Sequence, residues 1–83
     1  MNKQIDKKLL DERKRIGKMI AEFRAKKGLS QMDIESITEK NYSKKVRGSH
    51  LARIELGYTG VEIETLKKIA DALNCDIALI ERN

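Results

Sequence analysis

Proline and tryptophan are absent from the chain, and cysteine, histidine and phenylalanine occur once each. Without proline, no element carries the residue that removes a backbone donor and breaks a helix. A lone cysteine, Cys75, forms no internal disulfide, which fits a reducing compartment. One histidine and one cysteine cannot assemble the usual four-ligand zinc site, so neither a metal nor a cofactor is expected. Cys75 has no histidine near it in sequence, Ser43 and Ser49 lack a histidine–aspartate context, and there is no glycine-rich phosphate loop. Catalysis is therefore not expected. The longest apolar run, Ile77 to Ile80, falls far short of the roughly 20 residues of a membrane span. Asn2, Lys3 and Gln4 open the chain without the apolar core of a secretion signal, so a cytoplasmic protein with no membrane partner is expected.

What is present is charge, and it is unevenly placed. Its 83 residues allow one domain, 37% of them are charged, and the net charge is +5. From Met1 to Gly28 there are ten basic and four acidic residues. From Thr38 to Arg53, five basic residues face Glu39 alone, and from Glu55 onward six acidic residues outnumber three basic ones. A basic half suits a polyanion, because binding releases its counterions. Charge alone suits a solvated face better, so the pattern along the chain must decide.

Periodicity predicts four helices between residues 11 and 74. In the first, Ile16, Met19, Ile20 and Phe23 make one apolar stripe. Asp11 and Glu12 suit its start, Lys26 and Lys27 its last turn, and Gly28 its stop. Gly17, which costs about 1 kcal/mol against alanine in a helix, marks a close approach by another segment. Residues 1–10 form an N-terminal extension, and Ile5 and Leu9 leave open whether the helix begins there. Ser30 caps a second helix that runs through Ile34 and Ile37. Thr38 to Gly48 reads as a polar, basic loop. A third helix, about residues 48–56, turns Leu51 and Ile54 inward and stops at Gly57. After the connector Tyr58 to Val61, a fourth carries Ile63, Leu66, Ile69, Ala70 and Leu73 on one face and ends at Asn74. In the tail, residues 75–83, Ile77 and Leu79 alternate with Ala78 and Ile80, which predicts a strand. A lone strand leaves backbone groups unpaired. Ile77, Leu79 and Ile80 are accordingly expected to pair with a second copy in a two-fold dimer.

Four pieces in order carry a resemblance: Ile16-Gly17 with Arg24; Lys27-Gly28-Leu29-Ser30-Gln31; Ser49 to Gly57; and Leu66 to Leu73. The chain resembles the Cro/C1-type (Xre) helix-turn-helix family of phage and bacterial repressors over roughly residues 13–74. The resemblance implies an all-α, compact four-helix, lambda-repressor-like domain binding double-stranded DNA as a dimeric repressor. The third helix would lie in the major groove, where short polar and basic side chains reach base edges. Arg47, Ser49, His50 and Arg53 are the expected readers. Gln31 matches the family position that grips a phosphate, aided by N–H groups at its helix end. Lys44 and Lys45 are expected to touch DNA backbone, and Arg24 and Glu55 match a family pair that bridges the first and third helices.

Two departures stand out. From Leu29 to Gly57 the chain is about six residues longer than the usual spacing, where a helix–turn–helix corner takes 3–4 residues. Glu35 also stands where the family has a small alanine between the two helices. Either the second helix turns so that Ile34 and Ile37 carry the packing, or the pair is splayed. The strand-like ending resembles that of some antitoxins, so the alternative is an antitoxin that holds a toxin and regulates its own operon. The basic segment Asn2 to Leu10 would then be a partner-binding arm. RNA is the weaker polyanion here: with Phe23 expected in the core, only Tyr42 and Tyr58 are left for stacking.

Overall fold

In the computed structural model, which describes residues 6–82, four helices form: α1 (Lys7–Lys26), α2 (Gln31–Asn41), α3 (Gly48–Glu55) and α4 (Ile63–Ala72). Ile5 and the start of the proposed arm lie outside the described residues. α1 begins well before Asp11. Those two acidic residues therefore sit in its second turn rather than at its start, where Asp11 pairs with Lys7 and Glu12 with Arg15.

One stop is used three times. After α1, α3 and α4 the chain takes a left-handed residue, Gly28 (φ 69°), Gly57 (φ 75°) and Asn74 (φ 57°). In each case the next amide reaches back to a carbonyl five residues earlier: Leu29 to Arg24, Tyr58 to Arg53, and Cys75 to Ala70. These bonds satisfy carbonyls that a helix end would otherwise leave unpaired. The start of α2 is closed as firmly. Ser30 Oγ accepts the Asp33 amide at 3.0 Å, and the Asp33 carboxylate accepts the Ser30 amide at 2.8 Å. That reciprocal pair settles two orphan donors at once.

The core is Ile20, Ile34, Val46, Leu51, Ile54, Ile69 and Leu73, with Ile16, Leu29, Val61, Leu66, Ala72 and Cys75 packed at its margin. Each fully buried aliphatic side chain contributes roughly 1.5–3 kcal/mol. α3 packs against both α1 and α2, and α2 also packs against α4.

Several expectations need correction. Thr38 to Asn41 continue α2, so the extra residues extend that helix by a turn before a shorter loop, residues 42–47. Val46 in that loop is core, and its isolation among polar neighbours hid it from any periodic reading. Ile63 is exposed, because the first residue of α4 overhangs the domain, and Met19 and Phe23 are more than a third exposed at the edge of the α1 stripe. Residues 75–82 form neither helix nor strand within the chain, leaving Ile77, Leu79 and Ile80 exposed. Among the described residues there is no strand with which this segment could complete a ladder.

Candidate nucleic-acid interface

α3 is eight residues long, and each end is held by a different arrangement. At its C-terminal end the Glu55 carboxylate is almost wholly buried and receives three hydrogen bonds. Arg24 donates through Nε to Oε2 at 2.7 Å and through its Nη2 to Oε1 at 2.8 Å; Gln31 Nε2 adds a bond to Oε1 at 3.0 Å. Arg24 also donates to the Leu29 carbonyl at 3.0 Å, so a single guanidinium joins α1, the α1–α2 corner and α3. The planar fork of arginine matches a carboxylate in two places, which lysine cannot do. Burial pushes the Glu55 carboxyl up, but the bonds from Arg24 and Gln31 and the Arg24 charge more than offset it. The group sits below its ordinary value of 4.5.

The same end is pressed onto α1 backbone. A Cβ at Gly17 would stand 2.2 Å from the Ile54 carbonyl oxygen and 2.7 Å from that of Glu55. Only glycine lets the two helices approach this closely, the contact anticipated from its place in a helical stripe.

At the N-terminal end, the Gly48 amide donates to Glu35 Oε1 at 2.7 Å. Glu35 therefore neither splays the two helices nor displaces Ile34, which is fully buried beside it. Its carboxylate spans from α2 to the first amide of α3. Lys45 lies 3.4 Å from Glu35 and 3.3 Å from Glu39. The Gly48 bond is the main reason the Glu35 carboxyl lies below its ordinary value, with Lys45 assisting.

The loop before α3 is tied down. Thr38, buried within α2, donates to the Ile34 carbonyl at 2.9 Å and accepts the Val46 amide at 2.9 Å. Tyr42 donates its hydroxyl to Asp71 of α4, which Lys67 also holds at 2.9 Å. Lys68 donates to the Lys44 carbonyl at 2.9 Å and lies 5.6 Å from the centre of the Tyr42 ring. With its ring and hydroxyl both engaged, Tyr42 is no stacking platform.

The residues expected to meet DNA therefore divide into two groups. Lys44, Arg47, Ser49, His50 and Arg53 are exposed, and their side chains make no hydrogen bond or ion pair among the described residues. They occupy the loop and the outward face of α3, opposite Leu51 and Ile54. Gln31 and Lys45 already have carboxylate partners, which nothing in their sequence positions signalled. An open groove beside this face is lined by Glu39, Lys44, Lys45, Arg47, His50 and Lys68 among others.

Among the described residues, no group of three or more histidine, cysteine, aspartate or glutamate side chains could hold a metal ion, and no helix is long and apolar enough to cross a membrane. A family model described as helix-turn-helix matches residues 20–80. No curated protein and no solved structure matches the chain.

Proposed function

The chain belongs to the Cro/C1-type helix-turn-helix family of DNA-binding regulators, and from that premise we propose that it is a dimeric, cytoplasmic repressor reading the major groove with α3. The observation that carries this reading is the exposed set Arg47, Ser49, His50 and Arg53. Among the described residues these donors and acceptors are unpartnered, Arg47 just before α3 and the other three on the face opposite Leu51 and Ile54. His50 and Arg53 lie three apart and so share a side of α3. They are the base readers in this proposal. Lys44, on the loop that precedes them, grips phosphate and supplies affinity without sequence information.

Gln31 and Lys45 have weaker claims to phosphate, because each must share its donors with a carboxylate of the protein. The exposed tail supports the dimer. Ile77, Leu79 and Ile80 offer apolar surface, and their backbone has no hydrogen-bond partner among the described residues, which a second copy of the same segment would supply. A two-fold pair would then set two copies of α3 to read successive major grooves about 34 Å apart.

The test compares a duplex selected by the wild-type protein from a randomised pool with the unselected pool itself. Arg53→Ala should cost about 1–3 kcal/mol on the selected duplex and much less on the pool. Lys44→Ala should weaken both alike and lower the salt slope by about one unit. The reading fails if selection enriches no sequence. If Lys44→Ala shifts sequence preference while Arg53→Ala leaves it intact, the loop and not α3 is the specificity element.

A further inference from the structure

We propose that Glu35, steadied by Lys45, is a positioning residue that sets how α3 is aimed at DNA. This inference rests on the reading of α3 as the DNA-contacting helix. Three observations carry it. The Glu35 carboxylate accepts the first amide of α3 at 2.7 Å, at the end of the helix that bears Ser49 and His50 and follows Arg47. Arg47, the residue before α3, makes no side-chain cap, so this bond from α2 takes the place of a local cap. Lys45 bridges Glu35 to Glu39, which holds the carboxylate from both sides and ties the loop to α2.

The geometry gives Glu35 two effects that can be separated. As an acceptor it fixes the N-terminal end of α3 against α2, and small displacements there move every outward side chain relative to a groove. As a negative charge beside a DNA-facing surface it repels phosphate of any sequence. It therefore sharpens discrimination twice, by aiming the readers and by weakening indiscriminate binding. A residue that served only folding would do neither. Its loss would scale binding to every duplex by the same folded fraction.

The experiment uses the full chain with Glu35→Ala and Glu35→Gln, the selected duplex and the randomised pool. Glu35→Ala should lower the ratio of selected to pool affinity about tenfold, the size of one lost base contact, without weakening binding to the pool. Glu35→Gln keeps a neutral oxygen for the Gly48 amide but loses the charge. It should retain most of the aim and tighten binding to both duplexes, most visibly at low salt. Exchange of the Gly48 amide in the DNA-free protein reports the bond itself and should quicken in Glu35→Ala but not in Glu35→Gln. Wild-type discrimination by a folded Glu35→Ala protein would overturn the proposal, as would a uniform loss on both duplexes. Failure of the DNA reading looks different, because the wild-type protein would then show no discrimination to lose.

Discussion

The two ends of α3 are held by opposite means. At the C-terminal end, Glu55 is buried, triply hydrogen-bonded and pressed against glycine on α1. At the N-terminal end, one amide meets a partly exposed carboxylate, and the side chains that follow have no protein partner among the described residues. Stability is concentrated where solvent is excluded, because a buried charge left unpaired is costly while an exposed one is not. In the proposed reading, DNA meets the exposed side chains that remain free to exchange water for another molecule. Loss of the contacts that hold the C-terminal end should therefore cost more stability than loss of those that hold the N-terminal end.

Gly17→Ala tests the anchor most harshly. The added methyl has no space, since both obstructing atoms are backbone carbonyl oxygens. Chemical denaturation should show a loss above roughly 3 kcal/mol, beyond the usual range for overpacking because backbone itself must move. That is a large fraction of the total for a domain of this size. A stability near wild type would mean the α1–α3 seam can open without cost, and the contrast between the two ends would collapse.

Arg24→Ala comes next, at about 3 kcal/mol near neutral pH, because Glu55 is left buried with only Gln31 as a side-chain donor. Arg24→Lys should recover little of it, as a single ammonium cannot make both bonds. The pH dependence carries the sign. In the wild type the Glu55 carboxyl lies below 4.5, so its stabilisation is present above that pH and is lost as pH falls through the folded-state value. Without Arg24, burial dominates and raises the carboxyl, so protonation relieves the variant. The gap between wild type and Arg24→Ala should therefore narrow from pH 7 to pH 4. A gap that stays constant would show that the guanidinium acts through packing alone.

Thr38→Val probes the support beneath the reading end. The shape is retained, but the buried Val46 amide loses its acceptor, which should cost about 1–3 kcal/mol by the same denaturation measurement. Thr38→Ser should cost less. If valine is tolerated as well as serine, the loop is held by Tyr42, Lys68 and Val46 packing rather than by the hydroxyl. The smallest effect on folding should come from ending the chain after Asn74. That change touches neither end of α3 and removes exposed side chains together with Cys75 at the core's margin, whose amide bonds to the Ala70 carbonyl. Sedimentation should then report a monomer, and denaturation a loss smaller than those above. A truncated protein that still dimerises would move the interface off the tail.

Local chemistry was legible wherever a residue acts on its own neighbourhood. The stops at Gly28, Gly57 and Asn74 and the cap at Ser30 follow from backbone preferences that need no distant partner. The inward faces of α3 and most of α4 follow from helical spacing. Arg24 and Glu55 could be paired only through a family resemblance, since 31 residues separate them. Val46, Thr38 and Glu35 were misread for a common reason. Each draws its role from an element elsewhere in the fold, and no periodicity marks that. The readings of Met19, Phe23 and Ile63 failed at the edges of apolar stripes, where spacing gives a direction but not a depth.

By itself, then, the amino-acid sequence determined four helices, where three of them stop, and a basic first half that suits a polyanion. Those are consequences of short-range sterics and of charge, which act without knowledge of the fold. Only the tertiary structure decided which of the polar residues are spent. It committed Gln31 and Lys45 to carboxylates and turned Glu35 from a misplaced charge into the partner of the first amide of α3. It left Lys44, Arg47, Ser49, His50 and Arg53 facing outward. Whether a donor is occupied depends on what folding brings within about 3 Å of it, and that distance is set by packing rather than by position along the chain.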